Sequence, residues 1–226
     1  TTVAFTGIIL RLAHAKDYSI CCLCCFLSIG VLRSFQLFGQ LLRRLEKYHL
    51  SWAEDVLPWQ DTGAWQRLHS ATTTPLGTGE DIYLKENFKP LLESGALAVI
   101  HPDLLTAGGI LETKKVGDMA EDYGVQMNIH MAESPIACLA AVHMAVATRN
   151  FMSLELHSVD VPWWGDLVKP ALRYDGGFIE VPSKPGLGID ELNEKLIKKQ
   201  ACKDFPSPWT PTKEWDKEWA NDRRWS

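Results

Sequence analysis

Five ionisable residues in this chain stand one after another at nearly constant spacing: Glu54, Glu80, Asp103, His130 and Glu155, which lie 26, 23, 27 and 25 residues apart. Each follows a short apolar run, among them Ser51-Trp52-Ala53, Gly77-Thr78-Gly79 and Met127-Asn128-Ile129. One acid at such a place is ordinarily a helix cap or a solvated loop residue. Five in phase imply a repeated unit that brings one reactive group per repeat to a common mouth.

The residue types suggest roles. Glu54 and Glu80 come from adjacent repeats, and two neighbouring carboxylates repel unless a hard divalent cation sits between them, which favours Mg²⁺ with oxygen ligands. Asp103 and His130, from the next two repeats, suit a hydrogen-bonded dyad in which the carboxylate fixes the imidazole tautomer and raises its basicity, making His130 a general base or acid. A bound Mg²⁺ facing an acid such as Glu155 can stabilise the doubly charged enediolate formed when a proton is taken from beside a carboxylate.

The elements that must position these groups follow from periodicity. Apolar runs at Leu50 to Ala53, Pro75 to Thr78, Leu97 to Ile100, Val125 to Ile129 and Phe151 to Leu156 predict strands. Helical patterns fill the intervals, for example Tyr83 to Glu93 and Gly109 to Tyr123, the latter ended by Gly124. Parallel β/α units of this length form a barrel whose active site lies at the C-terminal ends of the strands. Ser34 to Tyr48, with Leu37, Leu41, Leu42 and Leu45 on one side, predicts an outer-ring helix. The stretch Lys169 to Leu187, with Gly176-Gly177 and Pro185-Gly186, predicts a hairpin and loop, and a short helix is expected over Asp190 to Lys199. The chain therefore divides into a divergent or misread segment 1–30, a partial barrel 31–200, and a Trp- and Pro-rich tail 201–226.

Composition limits the partners. The 226 residues carry 28 acids against 23 Lys and Arg, a formal charge of −5, and no basic run, so nucleic acid is not expected. The uncharged stretch Tyr18 to Leu32 has fifteen residues, short of the roughly 20 that span a bilayer, so no membrane is expected either. Cys21, Cys22, Cys24 and Cys25 crowd together while Cys138 and Cys202 stand apart, which is no disulfide framework and fits a cytoplasmic protein. No second pair at zinc-ribbon spacing accompanies the crowded cysteines.

At Trp52-Ala53-Glu54-Asp55 with Pro58-Trp59, Thr78-Gly79-Glu80, His101-Pro102-Asp103 with Gly108-Gly109, Ile129-His130, Leu154-Glu155 and Pro185-Gly186-Leu187-Gly188-Ile189, the sequence resembles the mandelate racemase and muconate lactonizing subgroup of the enolase superfamily. The resemblance implies an α/β fold, a partial TIM-type barrel of about strands 3 to 8 that lacks the N-terminal capping domain. It implies that Glu54 and Glu80 are metal ligands, that Asp103 and His130 are the dyad, and that Glu155 is the acid facing the substrate. Glu80-Asp81-Ile82-Tyr83 and His157 to Trp164 look more like the sugar-acid dehydratase branch, so the expected activity is dehydration of a sugar acid, a small-molecule substrate. The alternatives are a racemase or epimerase, or a truncated, inactive structural homologue.

The last alternative has a reason. The family's third metal carboxylate should fall near Cys24, yet no Asp or Glu occurs between Asp17 and Glu46, and the family's lysine base has no counterpart near Lys16. Thiols at that place would suit softer metals. An open partial barrel also leaves strand edges uncovered, so homo-oligomerisation, association with another barrel chain, or rearranged N-terminal strands is expected.

Overall fold

The computed structural model describes the backbone of residues 2–7 and 35–37 and the chain over 38–201. Its first strand is β1 (Thr2–Gly7), followed by helix α1 (Phe35–Leu45) and a 3-10 turn over Glu46–Tyr48. Next come the repeats: β2 (Ala53–Glu54), α2 (Thr62–His69), β3 (Leu76–Thr78), α3 (Lys85–Glu93), β4 (Val99–Ile100), α4 (Leu104–Ala107), α5 (Ile110–Asp122), β5 (Gln126–Ile129), α6 (Pro135–Val146) and β6 (Phe151–Leu156). A 3-10 turn over Trp164–Leu167 then leads to β7 (Val168–Lys169), β8 (Tyr174–Asp175), β9 (Phe178–Glu180), β10 (Glu191–Leu192) and α7 (Glu194–Gln200).

Strands β2 to β6 are parallel neighbours in sequence order, each joined to the next through helix, which is the arc of a (β/α) barrel. Their buried runs explain the packing: Leu76, Ile100, Met127, Ile129 and Leu154 are fully enclosed, and Trp65, Leu68, Phe88, Leu91 and Val116 press onto them from the helices. Helix α6 is apolar nearly all round because it packs against α5 and β6 together, and Ser134 caps its start by accepting from the Ala137 N–H. At the far side of β6 the sheet continues. β1 pairs with β6 in parallel, Thr6 opposite Glu155, and with β9 in antiparallel fashion. Of the strand edges expected to be exposed, the one beyond β6 is thus covered by an N-terminal strand of the same chain.

The predicted helices at Tyr83 to Glu93 and Gly109 to Tyr123 are present within two residues, and Gly124 ends the second with a φ of +70°. The Gly176-Gly177 hairpin is also present, between β8 and β9. The helix expected over Asp190 to Lys199 starts later, because Glu191–Leu192 pairs with β7 and Asn193 then caps α7 through the Leu196 N–H. The crowded cysteines, Lys16 and the tail beyond Ala201 lie outside the described residues.

Candidate active site

The five spaced residues meet at the C-terminal ends of β2 to β6, as the spacing predicts. Glu54 ends β2, Glu80 follows β3, Asp103 follows β4, His130 follows β5, and Glu155 is the penultimate residue of β6. Local sequence makes this convergence possible. Gly79, at a φ of +152°, lets the end of β3 pass close to β4: a Cβ there would lie 2.8 Å from the His101 backbone nitrogen.

Asp103 does two jobs at once. Its Oδ1 caps α4, accepting from the N–H groups of Leu105 at 2.7 Å and Thr106 at 3.0 Å. Its Oδ2 lies 2.9 Å from His130 Nδ1, and the two residues are also backbone bridge partners between neighbouring strands. Burial pushes the Asp103 carboxyl up, but the hydrogen bonds from His130 and the Thr106 N–H outweigh it and hold the group below its usual range. His130 reaches the other way with Nε2, 3.3 Å from Glu80 Oε2. Burial opposes its charging, yet the Asp103 hydrogen bond and the charges of Glu80 and Glu155 prevail and raise it to about 9.

Glu54 is not alone beside Glu80. Asp55 turns into the same place on a left-handed backbone, φ +49°, its Oδ1 accepting from Thr78 Oγ1 at 2.5 Å. Ligand oxygens of Glu54, Asp55 and Glu80 all lie within 4.8 Å of one another. Burial, then the charges of Glu155 and Asp55, lift Glu54 to about 8; burial, then Glu80, lift Asp55 to about 7. Three acids that resist ionising together, offering only oxygen donors, form a set suited to a hard divalent cation. Asp55 was visible beside Glu54 in the sequence, but its adjacency gave no sign that it shares the cluster; in a regular strand the next residue points to the opposite face.

Glu155 is held on both oxygens. Asn128 Nδ2 donates to Oε1 at 3.0 Å, and His157 Nε2 lies 3.2 Å from Oε2. Burial raises its carboxyl, but the contacts with His157, His101 and His130 win and keep it below its usual range. The His157 ring meets His130 edge-on, centroids 5.1 Å apart. His101, Asn128 and His157 carry no role in a reading by spacing, since each sits two residues from a spaced member and only the strand alternation of period two puts it on the same face. That signal was available. Glu133, in the loop after His130, adds a carboxylate near Asp103, and burial followed by the Asp103 charge pushes it up. Its carbonyl accepts from Trp164 Nε1 at 2.8 Å, tying the turn after β6 to the dyad.

Comparison with known proteins agrees with this architecture. The family described as enolase C-terminal domain-like matches residues 39–195. The D-xylonate dehydratase of Haloferax volcanii is 38% identical over 150 residues, which is 66% of this chain and 36% of the relative. The D-galactonate dehydratase of Cronobacter sakazakii is 33% identical over 175 residues, 74% of this chain and 46% of the relative. Among solved structures, a mandelate racemase/muconate lactonizing enzyme-like protein from Rubrobacter xylanophilus superposes with a TM-score of 0.72 at 30% identity, over 76% of this chain and 44% of that one. A second, from Roseovarius sp., gives 0.69 at 35% identity, over 75% and 43%. The chain spans less than half the length of these curated relatives. Among the described residues no helix is long and apolar enough to cross a membrane.

Proposed function

We propose, from the premise that this chain belongs to the enolase superfamily, that it carries the reactive half of a Mg²⁺-dependent dehydratase acting on a sugar acid. The observation that supports this most directly is the His130 imidazole held between two acids, Nδ1 2.9 Å from Asp103 and Nε2 3.3 Å from Glu80. With its Nδ1 proton bound by Asp103, His130 has Nε2 as the atom that takes or gives a proton in the mouth. Glu54 and Glu80, with Asp55, would hold Mg²⁺, whose chemistry when bound is Lewis-acid stabilisation of the charge that develops on a substrate carboxylate.

Glu155 is the hydrogen-bonding group that faces the substrate from β6, and Asn128 and His157 fix its two oxygens in position. Clustering of these groups at one mouth confines proton transfer and loss of the hydroxyl to one substrate orientation. The names of the relatives, D-xylonate and D-galactonate dehydratase, favour an aldonic acid as the substrate class.

Calorimetric titration of the full chain with MgCl₂ and turnover on a panel of aldonic acids test the reading. Millimolar or tighter binding is expected, with keto product formed by the wild type and abolished in His130→Asn while Mg²⁺ still binds. Absence of Mg²⁺ binding at millimolar concentration refutes it. Inversion of a substrate carbon without loss of water would move the chain to the racemase class.

A further inference from the structure

Beneath the mouth lies a second layer of polar side chains, buried and linked from strand to strand. Asn128 is fully enclosed and lies at its centre. Its Nδ2 lies 3.0 Å from Glu155 Oε1 and 3.0 Å from His101 Nδ1, and its Oδ1 accepts from Ser153 Oγ. The amide orientation is fixed by chemistry. An ionised carboxylate only accepts, so the side of Asn128 that faces Glu155 must be the NH₂ group, and the same nitrogen then faces His101.

A histidine nitrogen that receives an N–H is itself unprotonated. Donation from Asn128 to Nδ1 leaves the His101 proton on Nε2, which is buried, lies 3.5 Å from Glu54 Oε2 and makes no hydrogen bond there. The ring has little freedom to turn away. A Cβ on Gly77 would lie 2.5 Å from Nε2, so the imidazole lies directly against the β3 backbone, and the Trp52 ring stands on it with centroids 5.5 Å apart. Trp52 Nε1 donates to the same Glu54 oxygen at 2.9 Å.

We infer that Asn128 is a positioning residue, which sets His101 in its neutral Nε2–H tautomer, with the proton-bearing nitrogen beside Glu54, while anchoring Glu155, and so links the carboxylate cluster to the acid across the barrel. Outer partners of this kind fix ligand orientation in metal sites. The effect on a bound cation rests on the function proposed above; the tautomer does not.

The test is a long-range ¹H–¹⁵N spectrum of the ¹⁵N-histidine-labelled chain, with the His101 signals identified by their loss in His101→Gln. Wild type is expected to show the neutral Nε2–H tautomer. In Asn128→Asp, read above the pH at which the buried carboxyl beside Glu155 ionises so that it can only accept, the His101 proton is expected at Nδ1, with or without a second at Nε2. An Nδ1–H tautomer in wild type, or an unchanged tautomer in Asn128→Asp, overturns the inference, and the wild-type spectrum decides alone if the variant does not fold. A second readout is Mg²⁺ affinity, expected to fall about 10- to 100-fold in Asn128→Asp. Wild-type protein that shows Nε2–H but binds no Mg²⁺ would support the inference while refuting the proposed function.

Discussion

Replacing Asp103 by Asn and by Ala separates the two tasks this residue performs. Asn caps a helix about as well as Asp, so Asp103→Asn keeps the bonds now made to the Leu105 and Thr106 N–H groups. It removes the charge that faces His130 Nδ1. A hydrogen bond to a charged group contributes about 1.5–3 kcal/mol, and 1.36 kcal/mol corresponds to one pKa unit. The imidazole, raised to about 9 in the wild type, should therefore fall by roughly one to two units in the Asn variant.

The pH dependence follows from the direction of the shift. His130 has a folded pKa above its ordinary 6.5, so its contribution to stability is complete below that value and disappears as the pH rises through about 9. Asp103→Asn should be less stable than wild type at pH 6 and nearly equal to it at pH 10. Asp103→Ala should show the same loss plus a pH-independent capping loss of about 0.5–2 kcal/mol. Thermal unfolding of metal-free protein at the two pH values, with an NMR titration of His130, measures both parts. An unshifted His130 in the Asn variant, or equal stability of the Asn and Ala variants at pH 10, refutes the division of labour.

Three further outcomes are expected. Asp55→Asn should raise the melting temperature at pH 7.5, since an acid lifted to about 7 by burial and Glu80 loses stability as the pH rises from its ordinary value through that point; a gain of about 1–2 kcal/mol corresponds to roughly 2–8 °C in a domain of this size. The same variant should bind Mg²⁺ more weakly by calorimetry, and a variant that is less stable and binds normally would contradict the carboxylate cluster. Cys138, buried in α6 with its thiol pushed up to about 12, should resist an alkylating reagent at pH 8 in the native chain and react on unfolding in urea, read by mass spectrometry of its peptide. Labelling of Cys138 at equal rates in both states would show that α6 is not packed as described.

Much of the site was legible because its members recur with the length of a β/α unit. A fixed period along the chain becomes a fixed place in the barrel, so Glu54, Glu80, Asp103, His130 and Glu155 could be found without any contact being known. What escaped depends on neighbours in space. The bond of Asn128 to His101 joins residues 27 apart, and no local pattern distinguishes a strand Asn that bridges two strands from one that meets water. Helix α4 escaped for another reason: four residues are too few to show a period, and its start is marked only by an Asp already assigned elsewhere. The pairing of β1 with β6 spans most of the chain, beyond the reach of any window.

Because Asp103 and His130 form a parallel backbone bridge just beyond the ends of β4 and β5 as well as a side-chain pair, the distance between their side chains is inherited from the strand spacing. Adjacent strands lie about 4.8 Å apart in every sheet, and that interval survives changes in the helices and turns outside. Substitutions in those outer elements can then leave the Asp103–His130 pair at its present separation.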